Sequence, residues 1–290
     1  MEEVDIGLVM TGKSIGGIEG ELMGNWVLQN ICMQRRDCVG FVSPSVNCCV
    51  NTGGQQLYLI TGFRNLMTST SYGFMDSGYK QLYDTYNNCY RWVPLNGDMA
   101  GLCARTDFTN NPWWAPAGFN RGQLVNLTQL AYNPGITDRN VLFPINVNPV
   151  VNFNIQGTIL YGDKTLQAEA SAFDAINVRR LFIVLEKAIS KAAAYFLWEF
   201  NDSYTQAQVR NMINPYLRTI KGLRGIYDFL VVCDATNNTP EIIDMDMLVC
   251  DIYIQPARAI RNIQLNFIAT PTGVAFSEVE GQFSAANAVV

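Results

Sequence analysis

Val4-Asp5-Ile6-Gly7-Leu8-Val9-Met10-Thr11-Gly12 is an apolar run ending in glycine, and Asp37-Cys38-Val39-Gly40-Phe41-Val42-Ser43-Pro44 repeats the pattern with a Ser-Pro stop. Short apolar runs bounded by such breakers read as buried strands. Between them, Leu22 to Met33 reads as a helix, so the opening of the chain is a strand-helix-strand unit. A chain that opens directly on a buried strand is expected to begin in mid-domain. From Thr68 to Gly101 the sequence is rich in Tyr, Gly, Asn and Asp with weak periodicity, which predicts short strands and packed loops rather than long helices.

The character changes near Tyr161. From Asp174 to Trp198, Val178, Leu181, Phe182, Leu185, Ala188, Ile189, Ala192, Tyr195 and Phe196 share one face at about 100° per residue, predicting an amphipathic helix. On the same projection Arg180, Lys187 and Lys191 fall on the far side as an exposed basic stripe. Thr205-Gln206-Ala207-Gln208 has the spacing of a capping box and opens a second helix burying Val209, Met212, Ile213, Tyr216, Leu217 and Ile220. Pro215 should kink or split that helix, because it removes an amide donor. Beyond Gly225 the period falls to two: Ile226–Cys233, Met247–Ile254 and Ile260–Ile268 read as strands, followed after Pro271 by a short alternation, Val274 to Glu280.

Composition narrows the chemistry. With 290 residues, 49% hydrophobic and 16% charged, the chain can build one large core or two smaller ones, and two domains are expected. A net charge of -5 and no clustered Lys and Arg argue against nucleic-acid binding. Every apolar stretch falls short of the roughly 18 residues that span a bilayer, so no membrane insertion is expected. Eight cysteines with no C-x-x-C pair, and no histidine, leave no zinc pattern and predict reduced thiols. The absent histidine also removes Ser-His-Asp and Cys-His catalysis. No cofactor, metal or catalytic residue is expected.

Three signals still invite a chemical reading. Gly7 to Ser14 fits the phosphate-loop pattern G-x-x-x-x-G-K-S, which makes a P-loop NTPase the rival from another class. A phosphate loop needs a complete strand before it and a helix after it. Here the strand would have to lie inside the motif, and Gly16, Gly17 and Gly20 occupy the place where the helix should start. Asp244, Asp246 and Asp251 form an acidic group without the glycine and closing glutamate of a calcium loop, and read as solvated turn residues. Trp113 and Trp114, between Pro112 and Pro116, suit either a binding platform or a packed loop.

Ser69 to Tyr79, Tyr90-Arg91-Trp92-Val93-Pro94 and Ala115 to Gly122 form one ordered set of blocks, and Leu160 to Thr165, Ser171 to Phe182 and Val231 to Thr239 a second. Together they resemble the tail sheath proteins of T-even-type myoviruses, the second set more closely. The resemblance runs from about Asp37 to Gly281. It implies a subtilisin-like α/β domain without protease residues over 1–157, incomplete at its N-terminus. Over 158–290 it implies an α+β domain whose small sheet is completed by neighbouring subunits. Family members are considerably longer at the N-terminus, so a fragment is expected.

The resemblance also implies a non-enzymatic function. Subunits of the family form hexameric rings around a tail tube protein, between baseplate and tail terminator, in a virion tail assembled in the host cytoplasm. They contract on stored energy during genome ejection. On that footing Gly273, Val274, Ala275, Phe276, Ser277, Glu278, Val279 and Glu280 are the expected strand lent between subunits, and Arg180, Lys187 and Lys191 the expected tube-facing helix residues. A cell-derived contractile injection system sheath is a further alternative.

Overall fold

A computed structural model of the chain describes residues 4–14 and 18–265. The chain divides into two compact units, Met1–Ala259 and Ile260–Val290. The first opens with β1 (Leu8–Met10), then α1 (Ile18–Val27), which passes through a π-turn at Leu28–Cys32 into the short α2 (Met33–Arg35). Arg36, with a left-handed φ of 59°, ends the helix. β2 (Val39–Val42), α3 (Val46–Cys49), α4 (Gln56–Leu66) and β3 (Gly73–Met75) follow.

β1, β2 and β3 form a parallel sheet in that order, with Phe41 of the central strand level with Met10 on one side and Phe74 on the other. The expected strand-helix-strand unit is therefore present. Every residue of β2 and β3 is buried, as a parallel sheet covered on both faces requires. Phe41 and Phe74 share one core with Leu95, Met99 and Leu102, while Val42 and Met75 share another with Leu28, Ile60 and Phe63. The coverage is close enough that a Cβ on Gly73 would sit 2.8 Å from Leu166 and 2.9 Å from Leu28.

β4 (Tyr79–Asp84) and β5 (Cys89–Pro94) make an antiparallel hairpin, α5 (Asn96–Thr109) crosses back, and β6 (Gln129–Leu130) pairs with β4. The short strands expected here are found, but α5, fourteen residues long and starting inside the supposedly helix-poor stretch, corrects that reading. It was obscured because it buries Asn96 and Thr106 along with Met99, Leu102 and Cys103, so no clean apolar stripe marks it. α6 (Ile136–Leu142) leads to a second hairpin, β7 (Val150–Phe153) with β8 (Gly157–Leu160).

The rest of the unit is α7 (Ile176–Ala193), α8 (Ser203–Gly222), β9 (Ile226–Val232), α9 (Pro240–Ile243) and β10 (Asp251–Pro256). Leu181 and Leu185 of α7 meet Val209, Ile213, Leu217 and Ile220 of α8 and Ile226 and Val231 of β9 in a third core. Trp113 joins that core, its indole N–H donating to the Leu223 carbonyl at 3.1 Å. This tryptophan is a packing residue rather than a platform.

Four details differ from expectation. α7 stops at Ala193 and tightens into a 3-10 turn, Ala194–Phe196, leaving Tyr195 87% exposed. α8 is capped by Asp202, whose carboxylate accepts the Thr205 amide at 2.8 Å, rather than by Thr205 itself. It runs unsplit through Pro215, because Pro215 and Asn211 are both exposed and the carbonyl that loses its donor lies on the solvent side. Residues 260–265, expected to start a third strand, have no regular structure, and 266–268 lie outside the described residues.

Candidate functional site

β9 and β10 pair antiparallel, from Asp251 opposite Val232 to Gln255 opposite Asp228. Phe229, Val231, Ile252 and Ile254 face the third core, whereas Leu230 and Tyr253, directly opposite one another, point outward at 58% and 60% exposure. The turn that sets this register is held by side chains. The Asp234 carboxylate accepts the Thr236 amide at 2.9 Å, and Asn238 pairs through both ends of its amide with the backbone of Val249, at 2.9 and 2.8 Å. Asn238 stands in for a ladder step, which is why β10 begins at Asp251 and not at the expected Met247.

Among the described residues the β9–β10 sheet has two strands only, so its outer edges carry no ladder partner. A two-stranded sheet with apolar side chains on its open face is a template for added backbone. The lent strand expected at Gly273 to Glu280 lies outside the described residues.

The basic stripe of α7 does not have the exposure that its helical projection gave it. Arg180 is 6% exposed and bonded to the Asp107 carboxylate. Lys187 donates to Asp5 at 2.6 Å and to the Ile6 carbonyl at 2.9 Å; only Lys191, whose side chain is 74% exposed, stands open, 3.7 Å from Asp5. These charges hold Asp5 below the ordinary carboxylate range, through the Lys187 hydrogen bond first and then the charges of Lys187 and Lys191. The projection failed because α7 packs against two cores: Ile176 and Ile183 face the parallel sheet while Leu181 and Leu185 face α8. Arg179, beside it, is buried too, donating to Ser71 at 2.6 Å and lying 3.9 Å over the Phe173 ring.

The phosphate-loop match is a piece of sheet. β1 lies inside it, and the Thr11 amide goes to the Phe41 carbonyl at 3.2 Å. The Gly12 and Ser14 carbonyls accept from Asn96 and Tyr79. Asp244 and Asp246 are exposed turn residues, Asp251 is bonded to Asn237, and no group of three metal-ligating side chains occurs among the described residues. All eight cysteines are free. No described helix is long and apolar enough to cross a membrane.

Comparison with known proteins places this geometry. The phage tail sheath protein central domain matches residues 22–166, and the phage tail sheath C-terminal domain matches 168–270. The chain belongs to the phage tail sheath family. It is 47% identical to the tail sheath protein of Vibrio phage KVP40 over 88% of its own length, and 46% identical to that of Enterobacteria phage T4 over 75%. This sheath chain spans 40% and 33% of those relatives. Its fold is similar to that of the anti-feeding prophage helical sheath in its contracted state, at a TM-score of 0.76 and 18% identity over 93% of this chain and 72% of that one. The contracted sheath complex of an extracellular contractile injection system matches at 0.72 and 19%, over 93% and 72%.

The residues that sequence reading passed over are the aromatics after α7. Trp198 is fully exposed, with Phe200 at 85% and Tyr204 at 67%. Their signal was available in the polar residues Glu199, Asn201 and Asp202, which interrupt and then end the apolar run that continues through Leu197 and Trp198 after Phe196.

Proposed function

We propose that the chain is part of a structural subunit of a contractile phage tail sheath, working by polymerisation. Subunits form hexameric rings stacked around the tail tube, between the baseplate and the tail terminator. Contraction of the stack drives the tube through the host envelope for genome ejection. The work comes from free energy stored in the extended lattice, so the subunit is not an enzyme and needs no nucleotide. It assembles in the host cytoplasm and resides in the virion tail. Residues 1–157 belong to a subtilisin-like α/β domain stripped of protease residues, and 158–290 to a C-terminal domain whose sheet is shared between copies.

The observation that carries this reading is the β9–β10 sheet, with no ladder partner on either outer edge among the described residues and with Leu230 and Tyr253 turned outward. Backbone from another copy would satisfy those edges, and side chains of the added strand would lie beside Leu230 or Tyr253 on the open face. Gly273 to Glu280 is the segment proposed to do so. Removing it should abolish striated polymers in electron micrographs of the purified protein; polymers of normal appearance would end the strand-lending reading.

Of the three expected tube-facing residues only Lys191 keeps that role, because Arg180 is buried against Asp107 and Lys187 is tied to Asp5 and Ile6. Lys191 would reach an acidic tube surface, while Arg180 and Lys187 hold the helix that presents it. Lys191→Glu should uncouple sheath from tube without changing sheath self-assembly, read by co-sedimentation with the tube.

A further inference from the structure

The two ends of α8 differ in charge and are both greasy, and that asymmetry has a use. At the N-terminal end, the α7–α8 loop exposes Leu197, Trp198 and Phe200 and the first turn of α8 exposes Tyr204, while the segment after α9 exposes Met245 and Met247. The two segments are one surface, because the Asn201 side chain donates to the Met247 carbonyl at 2.8 Å. Glu199, Asp202, Glu241, Asp244 and Asp246 rim it, all exposed. Trp198 is held at φ 74°, an unfavourable backbone for a bulky residue, so the loop presents its indole to solvent at a conformational cost.

At the other end, about 30 Å away along a 20-residue helix, the rim is positive. Arg218, Arg224 and Arg258 are exposed there around Leu223 and Tyr227, which are 45% and 62% exposed, and Lys221 beside them is paired with the exposed Asp228 at 2.8 Å, so three cations remain in excess over the single acid. Complementing the helix dipole explains Asp202 and Lys221. It does not explain acids supplied by the α9 turn, a cation supplied from beyond β10, or bare aromatics.

Large exposed apolar patches with charged rims mark protein contacts, and complementary rims fix which surfaces meet. We propose that the acid-rimmed Trp198 surface of one copy docks on the base-rimmed Leu223–Tyr227 surface of the next, a head-to-tail contact that propagates rather than closes. The partner is thus a second copy of this chain. The proposal rests on the polymerisation reading above, but it uses a different surface from the β9–β10 edges.

The test is sedimentation velocity of the full chain at low and moderate salt, with circular dichroism to establish that each variant is folded. Trp198→Ser with Phe200→Ser should weaken self-association on the order of thirtyfold. Glu199→Lys with Asp244→Lys, or Arg218→Glu with Arg258→Glu, should each weaken it on the order of tenfold, and mixing the two charge-reversed proteins should restore it. Association of the wild-type chain that all three variants leave unchanged would overturn this contact while sparing the lent-strand reading, which the deletion tests separately. A mixture of folded charge-reversed proteins no tighter than either alone would also overturn it. So would a wild-type chain that stays monomeric at every concentration.

Discussion

Asp76 offers the sharpest test of how the core is held. It sits at the end of β3 with no exposed surface, accepting the Ser43 hydroxyl at 2.6 Å and the Gly78 amide at 2.8 Å. Ser43 in turn accepts the Asn96 amide at 2.9 Å, so the network links the ends of two parallel strands to the start of α5. Burial pushes the carboxyl up from 3.8 to about 8, with the charge of Asp98 adding to it, and the hydrogen bonds from Ser43 and Gly78 recover only part of the shift. Between roughly pH 4 and pH 8 the native state therefore keeps a proton that the unfolded chain has released. Stability must fall as pH rises through that window and level off above it. At about 1.4 kcal/mol per pH unit, this single group accounts for a loss on the order of 5 kcal/mol by the alkaline plateau. Asp76→Asn keeps the shape, accepts from Gly78 and donates to Ser43, but cannot ionise. Urea unfolding of both proteins across this range should give matching midpoints near the acid end and a widening advantage for the variant toward alkaline pH. Parallel pH profiles for the two would refute the reasoning, because Asp76 would then ionise alike in the folded and unfolded states.

Arg64 is 7% exposed and spends its guanidinium on the carbonyls of Ile145, Met67 and Leu166, at 2.9, 3.2 and 2.8 Å, with burial lowering its pKa. Arg64→Met should cost about 3–5 kcal/mol in urea unfolding, since three buried acceptors lose their donor, and Arg64→Lys should recover only part of it. Gly73→Ala should cost about 1–3 kcal/mol, seen as a lowered Tm, because its methyl would press on Leu166 and Leu28 inside a filled core.

What the sequence revealed and what it hid divide along physical lines. α8 and β9 were legible because each buries one face only: Val209, Ile213, Leu217 and Ile220 recur at helical spacing, and Val231 alternates with exposed Leu230. β1 and β2 were legible as continuous apolar runs. α5 was not, since a helix pressed into the sheet buries polar Asn96 and Thr106 beside apolar neighbours. Arg180 was misread for the same reason. Its helix has two buried sides, and the ion pair with Asp107, seventy-three residues away in sequence, leaves no local trace. The alternation at Ile260 to Ile268 predicts a strand that residues 260–265 do not form, because a strand exists only where another edge receives it. Ile260, Ile263 and Leu265 are 82%, 77% and 70% exposed, with no strand pairing among the described residues. The phosphate-loop match shows the opposite failure, a local pattern satisfied by a strand whose amides already belong to a sheet.

A density map of the assembled polymer, fine enough to trace backbone around β9 and β10, addresses the shared-sheet claim most directly. The account predicts an extra strand, contributed by a different molecule, hydrogen-bonded along at least one outer edge of this pair. If both edges were instead capped by residues of the same molecule, with no second chain in contact, the claim would be contradicted.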